Sequence, residues 1–108
     1  MADSKKVRLV KLDSKEKYQR LFSKDSGTCG MKSGHVVLQS GENVGEHTTG
    51  EREEAIVILK GKGEAVINKK DIFDIEKDIV LYIAPEMVHD IKNTGFEILE
   101  YIFITSLI

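Results

Sequence analysis

From residue 31 onward the chain is a succession of short runs rich in β-branched residues, cut by turns, and that texture limits the fold most. The runs "HVVLQ", "EAIVILK", "GEAVIN", "DIFDIE", "DIVLYIA", "MVHDIK" and "EILEYIFITSLI" are the expected strands. Between them stand "SGENVG", "GKG", "NKKD", "EKD", "APE" and "NTG". Strands at this spacing, with no helical periodicity between them, predict an all-β antiparallel sandwich or barrel. Two runs, "AIVIL" and "EYIFI", are apolar on both faces and need cover on their outer side as well. A second subunit is an economical source of that cover, so the expectation is a homodimer.

The start of the chain reads differently. In "LDSKEKYQRLFSKDSG", Asp13 and Glu16 have capping-box spacing, and Tyr18, Leu21 and Phe22 fall at i, i+3 and i+4. Gly27 follows as a stop, and the pattern predicts one short helix. The basic run "SKKVRLVK" before it reads as a strand. Residues 1–30 are thus expected to be a strand and helix packed on a barrel of residues 31–108, within one domain.

Composition excludes several classes of function. A length of 108 residues suits one domain with a real core, and 41% hydrophobic with 31% charged residues is ordinary for a globular chain. The net charge of -2 gives no basic footprint for nucleic acid, and no helix-turn-helix pattern accompanies the strands. No apolar run reaches the roughly 20 residues that span a bilayer, and the start is too charged for a signal peptide. The single cysteine, Cys29, excludes an internal disulfide and points to a reduced, cytoplasmic setting. With no histidine near it in sequence, Cys29 reads as a small buried hydrophobe rather than a nucleophile. "GKGEAV" lacks P-loop spacing and reads as a hairpin turn.

The chemistry-bearing residues lie in two stretches. Strand alternation in "VHDIKN" puts His89, Ile91 and Asn93 on one face, with Asp90 and Lys92 toward water. In "GENVGEHTTGEREEAIVILKG", His47 and Thr49 share a face, and Glu54 runs in phase with Ile56 and Ile58. An inward acid without a partner costs about 2 kcal/mol or more unless a cation or proton accommodates it. His47, Glu54 and His89 are therefore candidates to point into one interior. Imidazole and carboxylate donors suit Zn, Fe, Mn, Ni or Co. The alternative is three unrelated polar residues hydrogen-bonded around a barrel mouth.

The two stretches together resemble the cupin superfamily. Gly41, His47, Glu54 and Gly61 fit its first motif, in which the six-residue interval to Gly61 selects Glu54 over Glu53. "DIVLYIAPEMVHDIKN" keeps His89 and Asn93 of the second motif at their interval. It departs at Asp78 and Glu86, which stand for glycines, and at Ala84, which stands for the proline. The resemblance implies a double-stranded β-helix, the jelly-roll or cupin barrel, often dimeric, with a site inside its mouth. It also implies His47, Glu54 and His89 as ligands of a divalent metal, with Thr49 where a further histidine usually stands. A threonine hydroxyl is a poor ligand for such an ion but orients a bound water well. The remaining donors have the types of the two-histidine, one-carboxylate triad, and loss of the metal is equally compatible with the sequence. His35 would compensate if its strand phase turned it inward, and otherwise it is a strand-edge polar residue. Tyr82, Tyr101 and Phe103 are candidates to line the cavity, with no strand phase choosing among them. Two functions follow: a metal-dependent enzyme on a small metabolite, such as a dioxygenase or isomerase, or a metal-free module that binds or senses a sugar-like small molecule.

Overall fold

The structure is a computed structural model that describes residues 6–108. Eight strands carry the described fold: β1 Tyr18–Phe22, β2 Lys32–Leu38, β3 Arg52–Lys60, β4 Lys62–Ile67, β5 Asp71–Glu76, β6 Val80–Ile83, β7 His89–Lys92 and β8 Leu99–Leu107. They form two antiparallel sheets in the orders β1-β2-β8-β3-β6 and β5-β4-β7. The chain crosses repeatedly between the sheets, as a jelly roll does. Seven strands fall on the seven runs expected from the sequence.

The core lies between the sheets. Leu38, Ile56, Ile58, Ile75, Ile91 and Leu99 are all but sealed from solvent and form one cluster. Each such side chain contributes roughly 1.5–3 kcal/mol by burial. The β3 burial pattern alternates, so Glu54, Ile56 and Ile58 share the inward face. Glu54 is thus the polar start of an apolar row. That row leads from the mouth of the sandwich into its core.

The expected N-terminal helix does not form. Tyr18–Phe22 is a strand on the edge of the larger sheet, paired with β2 through Tyr18↔Val36 and Arg20↔Gly34. A helix of that length is marginal alone, whereas the free edge of β2 satisfies the same backbone groups. Tyr18 also stacks on Phe103 with ring centroids 6.1 Å apart, a contact that a helix would forfeit. Asp13 still shapes its own turn: its carboxylate accepts from the Lys15 amide at 3.0 Å. The only helical turn in this stretch is the 3₁₀ turn Lys24–Ser26. Residues 4 and 5 of the basic run lie outside the described residues, and 8–13 have no regular secondary structure. Cys29 is exposed, not buried, because the Thr28–Gly30 turn leaves it outside both sheets.

The outer face of the larger sheet carries an apolar patch across β8, β3 and β6, with Glu53 at its edge. Cross-strand pairing aligns Ile104, Ala55 and Tyr82 in one row and Ile102, Val57 and Val80 in the next. Val80 and Tyr82 are exposed, and Ile102, Ala55 and Val57 are half-buried. No described helix is long and apolar enough to cross a membrane.

Candidate functional site

The two motif histidines are brought together by the backbone. His47 precedes β3 in an extended segment that pairs with the start of β7 through an isolated antiparallel bridge, His47↔His89. Each residue donates its amide to the other's carbonyl, at 3.0 and 2.8 Å. Directly opposed residues put their side chains on the same face, and the imidazole centroids lie 4.3 Å apart.

Both rings are held in the same tautomer. His47 Nδ1 lies 2.8 Å from the Gly45 carbonyl, and His89 Nδ1 lies 2.9 Å from the Met87 carbonyl. A carbonyl only accepts, so each Nδ1 carries the proton and donates it. In the neutral ring each Nε2 then presents a lone pair, the arrangement usual for a histidine that ligates through Nε2.

Glu54 completes the inner group. Its Oε1 is 2.9 Å from His89 Nε2, with both side chains buried. The two atoms are close but poorly aligned, and neither has a hydrogen-bond partner. A neutral His89 would therefore set a lone pair against a carboxylate oxygen in a dry environment, which is unfavourable unless a cation or proton lies between them. Burial pulls the His89 pKa down. The Glu54 contact, the Met87 carbonyl and the charges of Glu54 and Asp90 outweigh it, and the net shift is upward. As the side chains stand, no three His, Cys, Asp or Glu groups among the described residues gather around one point as a metal cage. His47 packs on the His89 ring and is solvent-exposed.

These residues line a cavity of about 500 Å³ that opens at the mouth of the sandwich. Thr49, Tyr101 and Phe103 line it too. The Thr49 hydroxyl donates to the Arg52 carbonyl at 2.9 Å, closing the turn before β3. Tyr101 is buried, and burial, with the charges of Glu54 and Asp90, raises the pKa of its phenol, so the hydroxyl keeps its proton. His35 and Tyr82 are not among the lining residues. His35 is fully buried on the opposite face of β2, with Nε2 2.7 Å from Glu100 Oε2. Tyr82 is 61% exposed on the outside of β6 and donates to Glu53 at 2.9 Å.

Three contributors were not singled out by the sequence. Asp90, expected to face water, is buried: one carboxylate oxygen accepts from the Gly45 amide at 3.0 Å and the other from Asn43 Nδ2 at 2.9 Å. It therefore fixes the loop whose Gly45 carbonyl orients His47. Gly34 leaves room for the aromatic wall, since a Cβ there would sit 2.5 Å from the Phe103 ring and 3.0 Å from that of Tyr18. Arg52 reaches the cavity from two residues before Glu54, with Nη1 donating to the Gly30 carbonyl at 3.0 Å and to Thr105 Oγ1 at 3.2 Å. Strand phase is the signal that would have found Arg52, two residues from Glu54 on the same strand. The Asp90 loop contact left no local signal.

Comparison with known proteins bears on the whole arrangement. The family model for the cupin domain matches residues 34–105. An RmlC-like cupin family protein with a double-stranded β-helix fold from Methanocaldococcus jannaschii superimposes with a TM-score of 0.80 at 17% identity, over 94% of this chain and 91% of that one. A predicted oxalate decarboxylase from Thermotoga maritima gives a TM-score of 0.76 at 27% identity, over 84% and 79%. The cupin domain of Schizosaccharomyces pombe Cnp3 gives 0.75 at 22% identity, and the chain spans 84% of itself but 64% of that chain. No curated protein matches the sequence.

Proposed function

The chain belongs to the cupin family, and from that premise we propose that it is a small-molecule-binding barrel with a divalent-metal site on His47, Glu54 and His89. One observation carries the metal: buried Glu54 Oε1 and His89 Nε2 face each other at 2.9 Å with no hydrogen-bond partner. The donor chemistry fits a first-row divalent ion, because both imidazoles carry the proton on Nδ1 and direct Nε2 elsewhere. His47, exposed at the mouth, supplies the third donor. A bound ion would polarise an oxygen substituent of the substrate or bind dioxygen, which places dioxygenase, isomerase and decarboxylase chemistry within reach of the site. The protein's own part is to hold the ligand in a cavity walled by Tyr101 and Phe103 and open on one side.

The test is elemental analysis after adding back Fe, Mn, Ni, Co and Zn to wild type, His47→Ala and His89→Ala. The proposal expects about one ion per chain in wild type, as in an open three-ligand site, and loss in both variants. The second reading, a metal-free module for a sugar-like or other polar metabolite, is favoured by Thr49, whose hydroxyl is committed to the Arg52 carbonyl. No binding by wild type, or equal binding by all three proteins, would leave that second reading standing.

A further inference from the structure

On the sheet wall that bears Glu54, the cavity carries two cations. Arg52 and Lys32 both line it, and neither forms an ion pair among the described residues. The one carboxylate among the lining residues, Glu54, faces His89 and pairs with neither cation. Sheet register places the pair: Lys32 opposes Thr105 on β8, Thr105 opposes Glu54 on β3, and Arg52 lies one inward position nearer the mouth than Glu54.

Arg52 is anchored as well as charged. Nη1 is spent on the Gly30 carbonyl and Thr105 Oγ1, both neutral acceptors, which fixes the guanidinium plane while its charge stays uncompensated. A guanidinium held this way loses little freedom on binding and matches the planar oxygen pair of a carboxylate. The hydroxyl of Tyr101 has no hydrogen-bond partner among the described residues, and its raised pKa keeps it a donor. Beside it the Phe103 ring offers an apolar face.

We propose that the ligand is a small organic acid, with a carboxylate held between Arg52 and Lys32 and its body lying on Phe103 toward Tyr101. This rests on the reading that the cavity is the ligand site, but not on a metal being bound. A planar carboxylate is favoured over phosphate because Arg52 Nε and Nη2 make no hydrogen bond among the described residues, which leaves a two-donor fork for a pair of oxygens.

Isothermal titration with malonate, succinate, orthophosphate and glucose tests it on the full chain, once with EDTA and once with the metal that the elemental analysis selects. Binding of malonate or succinate in EDTA, weakened about tenfold or more in Arg52→Gln and less in Lys32→Gln, supports the proposal. The Lys32 ammonium makes no hydrogen bond or ion pair among the described residues, so its variant stays folded whatever Arg52→Gln does. Failure of every acid to bind, phosphate binding more tightly than the acids, or unchanged affinity in both variants overturns it. Metal uptake without acid binding would remove this proposal and leave the metal site intact; acid binding without metal uptake would do the reverse.

Discussion

Asp78 and Glu86 occupy two places where the related motif carries glycine, and the backbone keeps the glycine conformation at both. Their φ angles are +75° and +68°, in the left-handed region that disfavours a side chain. The cost for such a residue is about 1 kcal/mol or more, and it is smaller for Asp, whose short side chain tolerates the region. Glu86→Gly should therefore raise stability by about 0.5 kcal/mol after the extra chain entropy of glycine is counted, and Asp78→Gly by less. Thermal melting of the two variants checks both the gain and its order. Motif spacing and strand phase place Glu54 and His89 inward, and burial agrees. Asp90 defeats alternation because its carboxylate serves a loop 45 residues away, a partner no local pattern contains.

Among the elements, the β3–β4 connection is closely packed. Gly61 has a φ of +82°, and a Cβ there would lie 2.1 Å from the Ile98 carbonyl oxygen. Gly41 has a similar φ of +84° with nothing within 4 Å. Gly41→Ala thus meets backbone strain alone, about 1 kcal/mol, whereas Gly61→Ala must also displace the chain before β8. The loss in Gly61→Ala should exceed that in Gly41→Ala by at least about 1 kcal/mol, or roughly 4–8 °C in Tm. Equal losses would mean that the connection yields freely. The strands from β2 to β8 were legible because β-branched runs between turns have few other uses. β1 was not, since Tyr18, Leu21 and Phe22 satisfy helical spacing equally well. The edge of β2 and the Phe103 ring decided the matter, and both lie far away in sequence.

At the scale of the molecule, the outer face of the larger sheet bears on the proposed homodimer. Its rows Ile104–Ala55–Tyr82 and Ile102–Val57–Val80 hold no charged side chain, so a second copy related by a two-fold axis would meet apolar surface there, with Glu53 at the edge of the patch. Sedimentation velocity should give a dimer for wild type and a monomer for Val57→Glu, with unchanged circular dichroism. A monomeric wild type would contradict the proposal. Such a dimer would leave the cavity open, because Glu54 and His89 face the interior while Val57 and Tyr82 face outward.

The metal proposed on His47, Glu54 and His89 is tested most directly by anomalous diffraction from crystals grown with Mn or Zn. One peak per chain is expected, at about 2.0–2.2 Å from Nε2 of both histidines and from a Glu54 carboxylate oxygen. No peak there, with Glu54 and His89 still 2.9 Å apart in the crystal, would contradict it and show that a proton alone reconciles the pair.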